Sequence, residues 1–373
     1  MADEMTGKRL RLAVIFGGRS GEHEVSLMSA RSVLSVLDAQ KYAVIEIGIT
    51  PQGEWLTGDA VIDHFAMHDY STLSPVILLP EPRGGELYRV SDSQLQSLGA
   101  IDVAFPLIHG TFGEDGTLQG LLELADIAYV GCGVLASSVG MDKSLFKDVM
   151  RAQNIPVVDS LLFSRKQLAL NFDQVLQEIE KNLPYPVFVK PANLGSSVGI
   201  TRCTGRSSLV EGLLDASRFD RRVLVERGVN AREIEVSVIG NEAPTASLPG
   251  EVQPVEEFYT YSAKYITNES RLVIPADLEP AVAQEIRQLA VKAYTAIDGA
   301  GMARVDFLLE RETGAILLSE VNTIPGFTSI SMYAKLWEAT GIPYTALIDQ
   351  LVELALERKQ DRDATVRTYR RDE

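Results

Sequence analysis

Leu12-Ala13-Val14-Ile15-Phe16-Gly17-Gly18 is an unbroken apolar run ending in two glycines, and a Ser/Glu-rich stretch after it leads into apolar periodicity over Val25–Leu37. The pattern predicts a buried strand, a tight turn and a helix. A second strand is expected at Tyr42–Ile49 and a third at Val103–Leu107, which runs into a glycine-rich turn. Strand–glycine turn–helix alternation of this kind implies a parallel, doubly wound α/β unit. The intervening residues 51–100 are broken by Pro51, Pro75, Pro80, Pro82 and Gly84-Gly85, which predicts loops and edge strands.

A second region opens with a helix at Met141-Asp142-Lys143. It continues through the strand Pro186–Lys190, the loop Gly195–Gly199 and the strand Val223–Glu226. A third contains the alternating strand Ile234–Ile239, a long segment Gly250–Pro275, a helix over Pro280–Ile297 and a last helix from Tyr344 to Arg358. The coarse reading is three α/β-type domains, and 373 residues at about 150 per domain allow two or three.

The chain has 51 acidic and 35 basic residues, a net charge of −16, which disfavours nucleic acid as a partner. Two cysteines, Cys132 and Cys203, without zinc-ligand spacing exclude a disulfide framework and fit a reducing compartment. No apolar stretch approaches the roughly 18 residues of a membrane span, so a cytoplasmic protein with no membrane partner is expected.

The most informative chemistry lies in Met302-Ala-Arg-Val-Asp-Phe-Leu-Leu-Glu310 and Ala315-Ile-Leu-Leu-Ser-Glu-Val-Asn322, separated by a turn with Gly314. A hairpin turning at Thr313 sets Asp306 opposite Glu320 and Arg304 opposite Asn322, all on one face. Val305, Phe307, Leu317 and Val321 are then expected on the core face. Two carboxylates and an amide suit Mg²⁺, which shares its remaining positions with substrate phosphates. A solvated sheet face with an Arg–Asp pair would look the same.

Val187-Phe-Val-Lys190-Pro-Ala-Asn-Leu-Gly195-Ser196-Ser197-Val198-Gly199 is a glycine loop after a strand, able to wrap a phosphate with backbone N–H groups and hydroxyls. It matches neither the P-loop nor the dinucleotide fingerprint, and a plain turn stays open. His109-Gly110-Thr-Phe-Gly113-Glu114-Asp115-Gly116 sits at a strand's C-terminal end, where open α/β sheets place ligands. The alternative there is a capped helix start with a merely hydrogen-bonded histidine. His64 and His68 read as surface residues.

Together these pieces resemble the D-alanine–D-alanine ligases of the ATP-grasp superfamily. The likeness runs from Phe16-Gly-Gly-Arg-Ser-Gly-Glu-His-Glu-Val-Ser26 through His109–Gly116, Met141–Lys143, Lys190–Gly199, Tyr259–Tyr265 and Arg304–Asp306 to Asn322-Thr-Ile-Pro-Gly326-Phe-Thr-Ser-Ile-Ser331. The resemblance implies an N-terminal parallel doubly wound α/β domain, 1–138, followed by two ATP-grasp domains, 139–230 and 231–373. A lid is expected at about 250–275.

It also implies roles for residues. ATP should lie between the second and third regions, with Lys143 and Lys190 near its phosphates, Ser196 and Ser197 in the loop, and Glu226 and Glu233 near adenine and ribose. Two Mg²⁺ or Mn²⁺ ions should be held by Asp306, Glu320 and Asn322. Glu22, with Ser196, should receive the first D-alanine's ammonium, the nearby Glu24 being set aside on motif position. His109 belongs to the expected substrate site, and Ser331 and Tyr265 should meet the second D-alanine. Lys264 should reach the transferred phosphate, and Arg304 and the Gly326 N–H should stabilise the oxyanion.

The implied activity makes D-alanyl-D-alanine for peptidoglycan precursors through an acyl phosphate, in a homodimer. Relatives that form an ester with D-lactate lack the Lys-Tyr pair and carry a lid histidine. Ala263-Lys264-Tyr265, with no histidine over 250–275, favours the dipeptide. Other readings are a D-alanine–D-lactate ligase, another ATP-grasp carboxylate–amine ligase, or a non-catalytic nucleotide-binding regulator. A Rossmann dehydrogenase is opposed by the absence of Gly-x-Gly-x-x-Gly after Phe16.

Overall fold

The computed structural model describes residues 9–82, 84–91, 94–195, 198–253 and 271–366. Ser196, Ser197, Lys264 and Tyr265 lie outside the described residues, as does most of the expected lid.

Leu10–Gly17 runs through the middle of a sheet of eight strands. It pairs in parallel with Tyr42–Ile49 on one side and Val103–Pro106 on the other, and Ala128–Tyr129 extends the parallel set. Its side chains alternate between two cores: Leu12, Val14 and Phe16 enter one, Ala13 and Ile15 the other. A strand covered on both faces needs an apolar residue at every position, which is why the run is unbroken.

Beyond Tyr42–Ile49 the sheet becomes antiparallel through Trp55–Thr57, Ser74–Leu78, Glu86–Ser91 and Gln94–Ala100. The parallel arrangement therefore holds for one half of this sheet only. The segment between Thr57 and Ser74 carries the helix Val61–Ala66, and the other linking segments are too short for the crossover of a dozen or more residues that a parallel pairing needs.

One face is covered by the helix His23–Leu34 and by the C-terminal helices Met332–Thr340 and Tyr344–Asp363. Ala30 and Val33 share a core with Tyr333, Trp337 and Leu351. The last helix is tied to the parallel half: the Arg358 guanidinium lies 4.0 Å from the Tyr129 ring centroid and donates to the Tyr129 and Gly131 carbonyls. At its other end Tyr42 Oη donates to Asp349 at 2.7 Å.

The second sheet is antiparallel and runs Thr201–Cys203, Val187–Pro191, Arg222–Arg227, Ser160–Ser164. The helices Arg165–Asn182 and Arg206–Phe219 pack on it through Leu176, Ile179, Leu209 and Leu213. The third sheet is also antiparallel and runs Arg271–Val273, Gly250–Gln253, Ala231–Ile239, Met302–Glu310, Ile316–Asn322. The helix Pro280–Ala296 covers it, its first turn accommodating Pro280, whose missing N–H is harmless there.

The expected limit at 138/139 falls inside the helix Val134–Met141, and 230/231 falls where the strand Ala231–Ile239 begins. We propose the first junction at Asp142, which ends that helix and caps the next, Lys143–Ala152.

In the hairpin of the third sheet, Arg304 pairs with Asn322 and Asp306 with Glu320, as a turn at Thr313 predicts. Past Asp306 the register shifts, and Phe307 pairs with Leu318. The extra residue, Ser319, reverses the alternation beyond it. Leu318, not the expected Leu317, therefore joins Val305, Phe307 and Val321 in the core.

Candidate active site

The polar face of the hairpin carries Arg304, Asp306, Glu320 and Asn322. Arg304 donates to both oxygens of Asp306, Nε to Oδ1 at 2.7 Å and an η nitrogen to Oδ2 at 2.6 Å. It also lies 3.0 Å from Glu235 on the neighbouring strand. This guanidinium is nearly buried, and the carboxylates around it hold its pKa well above the ordinary value although burial opposes that. The Asn322 amide nitrogen donates to Asp306 Oδ2 at 2.9 Å.

Asp306, Glu320 and Asn322 form an oxygen-rich set on one strand pair. Among the described residues no three His, Cys, Asp or Glu side chains converge as a metal site. The donor set fits a hard cation that draws its other ligands from outside the protein, such as phosphate oxygens.

Lys143 links this set to the glycine loop. Asp142 caps its helix by accepting from the Leu145 N–H at 3.0 Å, and the same carboxylate pairs with Arg222. That places the Lys143 ammonium 2.8 Å from the Leu194 carbonyl and 3.9 Å from Glu320. One turn further along, Lys147 is buried and lies 2.9 Å from Glu226 Oε1, while Lys190 pairs with Oε2. Burial alone would raise the Glu226 carboxyl, but the Lys190 and Lys147 ammoniums overcome it and hold it down at about 2.

Glu22 stands at the start of the helix His23–Leu34 and is 8% exposed, whereas Glu24 faces solvent. The two glutamates of this stretch, which sequence separates only by motif position, therefore differ in burial. Two glycines make room for the Glu22 carboxylate. A Cβ at Gly195 would lie 2.5 Å from its Oε1, and one at Gly110, which has φ +75°, would lie 3.0 Å away. Glu114 is nearby and accepts from the Gly110 N–H at 2.8 Å. Burial and the Glu22 charge push its carboxyl up to about 8.

His109 has both ring nitrogens engaged: Nδ1 donates to the Ile324 carbonyl at 2.9 Å, and Nε2 lies 2.9 Å from Ser29 Oγ. Since a carbonyl only accepts, Nδ1 carries the proton, and a neutral ring then accepts from Ser29 at Nε2. Ser29 Oγ also accepts from the Phe327 N–H at 3.2 Å. Tyr344 Oη donates to the Phe327 carbonyl at 2.9 Å, and Ser32 Oγ accepts from Ser329 N–H at 3.2 Å. These contacts clamp the segment carrying Gly326 and Ser331. Ser331 begins the helix Met332–Thr340, and its Oγ lies 2.7 Å from Thr328 Oγ1 and within 3.4 Å of a Cβ built at Gly326.

The structure thus joins Lys143, Glu320, Asp306, Asn322 and Arg304 in one patch, and Lys190 with Glu226 in another. Glu22 and His109 are connected to these through Gly195 and Ile324. Glu233 lies on Ala231–Ile239 opposite Val252 and Leu308. Sequence reading missed Lys147, Glu235 and Ser29, and placed Glu114 only as a helix start. The helix there begins at Thr117, and Asp115 serves it by accepting from the Thr117 N–H at 3.0 Å. A usable signal for Lys147 was its spacing, four residues after Lys143 and so on the same helix face.

Two family models match the chain, "D-ala D-ala ligase N-terminus" over residues 11–132 and "D-ala D-ala ligase C-terminus" over 149–353. A D-alanine–D-alanine ligase of Heliobacterium modesticaldum is 48% identical over 361 residues, covering 96% of this chain and 98% of the relative. One from Solibacter usitatus is 47% identical over 357 residues, with coverage of 96% and 98%. Among solved structures, the D-alanine-D-alanine ligase of Coxiella burnetii superimposes with a TM-score of 0.81 at 37% identity, covering 95% of this chain and 96% of that one. The VanG D-Ala:D-Ser ligase of Enterococcus faecalis gives 0.83 at 34% identity, with coverage of 93% and 100%. Matches that span both halves in order leave one assignment: the chain belongs to the D-alanine–D-alanine ligase family of ATP-grasp enzymes.

Proposed function

We propose that this enzyme joins two D-alanine molecules with ATP, releasing ADP and phosphate, to supply D-alanyl-D-alanine for peptidoglycan. One observation carries the reading onto these residues: Lys143 stands between the glycine loop and Glu320, where the phosphates of a nucleotide would meet both.

The first D-alanine's carboxylate is a poor electrophile. Its oxygen attacks the γ-phosphorus, ADP leaves, and the resulting acyl phosphate is attacked by the second D-alanine's amine, with phosphate as the leaving group. Glu22 receives the first ammonium, in the space left by Gly110 and Gly195. Arg304, fixed by Asp306 and Glu235, and the Gly326 N–H, clamped beside Phe327, supply donors to the oxyanion of the second step. Ser331 faces the second carboxylate. Asp306, Glu320 and Asn322 would hold Mg²⁺ or Mn²⁺, one ion or two, and a bound cation would neutralise charge gathering on the phosphoryl oxygens. Lys264, Tyr265, Ser196 and Ser197 complete the reading from sequence alone, as do homodimeric assembly and a cytoplasmic location. No helix among the described residues is long and apolar enough to cross a membrane.

Phosphate release tests the assignment. D-Alanine alone should drive it, and adding D-lactate or D-serine should not yield a mixed product in preference. Release that requires either second substrate would replace the dipeptide reading.

A further inference from the structure

We infer that Lys147 is a positioning residue for nucleotide binding, the fixed counter-ion of Glu226 that lets Lys190 leave this carboxylate for the phosphates. The inference rests on the reading above that ATP lies beside the second sheet.

Glu226 sits on Arg222–Arg227 opposite Phe188, and Lys190 sits opposite Leu224. Glu226 and Lys190 therefore occupy diagonal positions on one face of the sheet. The helix Lys143–Ala152 presents Lys147 to the same carboxylate, so each carboxylate oxygen has its own ammonium. Two cations around one anion leave an unbalanced positive charge in a nearly water-free place, which an arriving phosphate would neutralise.

The two lysines are not equivalent. The Lys147 side chain is 2% exposed and Lys190 is 15% exposed. Lys147 is enclosed, whereas Lys190 is the penultimate residue of the strand Val187–Pro191 that leads into the glycine loop. When Lys190 turns to phosphate, Lys147 keeps Glu226 from becoming a lone buried carboxylate. Glu226 then stays ionised and can accept a hydrogen bond from a base amino group. Without Lys147, nucleotide binding must either strand that charge or leave Lys190 where it is.

The test is Lys147→Met alongside Lys147→Arg, measuring kcat, the KM for ATP and the inhibition constant of adenosine competing with ATP. Adenosine has no phosphate, so Lys190 can stay on Glu226 when it binds. Lys147→Met should raise the KM for ATP at least about tenfold, with adenosine inhibition within about twofold of wild type, and Lys147→Arg should recover most of the loss. Equal weakening of ATP and adenosine, or an unchanged KM for ATP in the folded variant, would overturn the inference. Should Lys147→Met not fold, the pair Glu226→Gln and Glu226→Gln/Lys147→Met decides. Removing the lysine should cost ATP binding little once the carboxylate is gone, and a further tenfold loss would contradict the inference. If Lys190→Met left ATP binding intact, the placement of the phosphates would be wrong, a different failure from that of Lys147.

Discussion

Asp306 lies directly opposite Glu320 in the hairpin, and the Asn322 amide nitrogen reaches toward both, 2.9 Å from Asp306 Oδ2 and 3.5 Å from Glu320 Oε1. Two carboxylates held this close repel one another, and that cost is tolerated where cations gather. Arg304 and Lys143 supply part of the positive charge. A divalent cation would supply the rest.

Glu320→Gln should therefore lower turnover by at least about 100-fold, because an amide oxygen without the negative charge binds a hard cation more weakly than a carboxylate and does not balance Lys143. The side chain is partly exposed and outside the cores, so the thermal unfolding midpoint should stay close to wild type. Near wild-type turnover at limiting Mg²⁺ would remove Glu320 from the metal site.

Glu114 predicts a pH dependence of stability. Its carboxyl ordinarily titrates near 4.5, and burial together with the Glu22 charge pushes it up to about 8. The folded protein thus holds this proton more tightly than the unfolded chain. Its contribution to stability is complete below about pH 4.5 and is lost as pH rises through about 8. Glu114→Gln cannot lose a proton, so its melting temperature should fall less than that of wild type across this window. Parallel profiles would show that Glu114 is not the responsible group.

Ser29→Ala should destabilise the protein by about 1–3 kcal/mol, since it leaves the His109 Nε2 and the Phe327 N–H without their shared buried partner. Turnover should fall as well, because Phe327 follows Gly326. Urea unfolding and kcat measured together check both. A loss of stability with unchanged kcat would show that the clamp supports the fold and not the reaction.

Much of this was legible in the chain, for reasons that differ by element. Leu12–Phe16 is apolar at every position because both faces are covered, and the Asp306–Glu320 pairing matches a turn at Thr313 because the bulge adds one residue to the register that Leu309–Ile316 sets beside the turn. Leu317 was misplaced because a bulge at Ser319 leaves no mark in a two-residue period. The engagement of His109 was hidden because Ser29 and Ile324 lie 80 and 215 residues away, and only the packed fold brings them together. Lys147 was overlooked because a lysine on a helix ordinarily faces water. Its burial depends on Glu226, which comes from another sheet strand.

We propose that the Lys264–Tyr265 pair and the absence of histidine over 250–275 favour D-alanine over D-lactate as the second substrate. The amine's deprotonated fraction grows with pH, and the hydroxyl of D-lactate gains nothing from that change. In a mixture of D-alanine and D-lactate, dipeptide should dominate from about pH 7 to about pH 9. Chromatography of the products across that range checks this, and substantial ester at neutral pH would refute it.

Isotope transfer decides whether the first carboxylate is activated as an acyl phosphate. D-Alanine labelled with ¹⁸O in both carboxylate oxygens is incubated with ATP and Mg²⁺, and the products are analysed by mass spectrometry. Attack of the first carboxylate on the γ-phosphorus predicts D-alanyl-D-alanine, ADP and inorganic phosphate carrying one ¹⁸O per turnover. Unlabelled phosphate beside the dipeptide would contradict the acyl-phosphate route, and AMP with no dipeptide would contradict the ligase assignment itself.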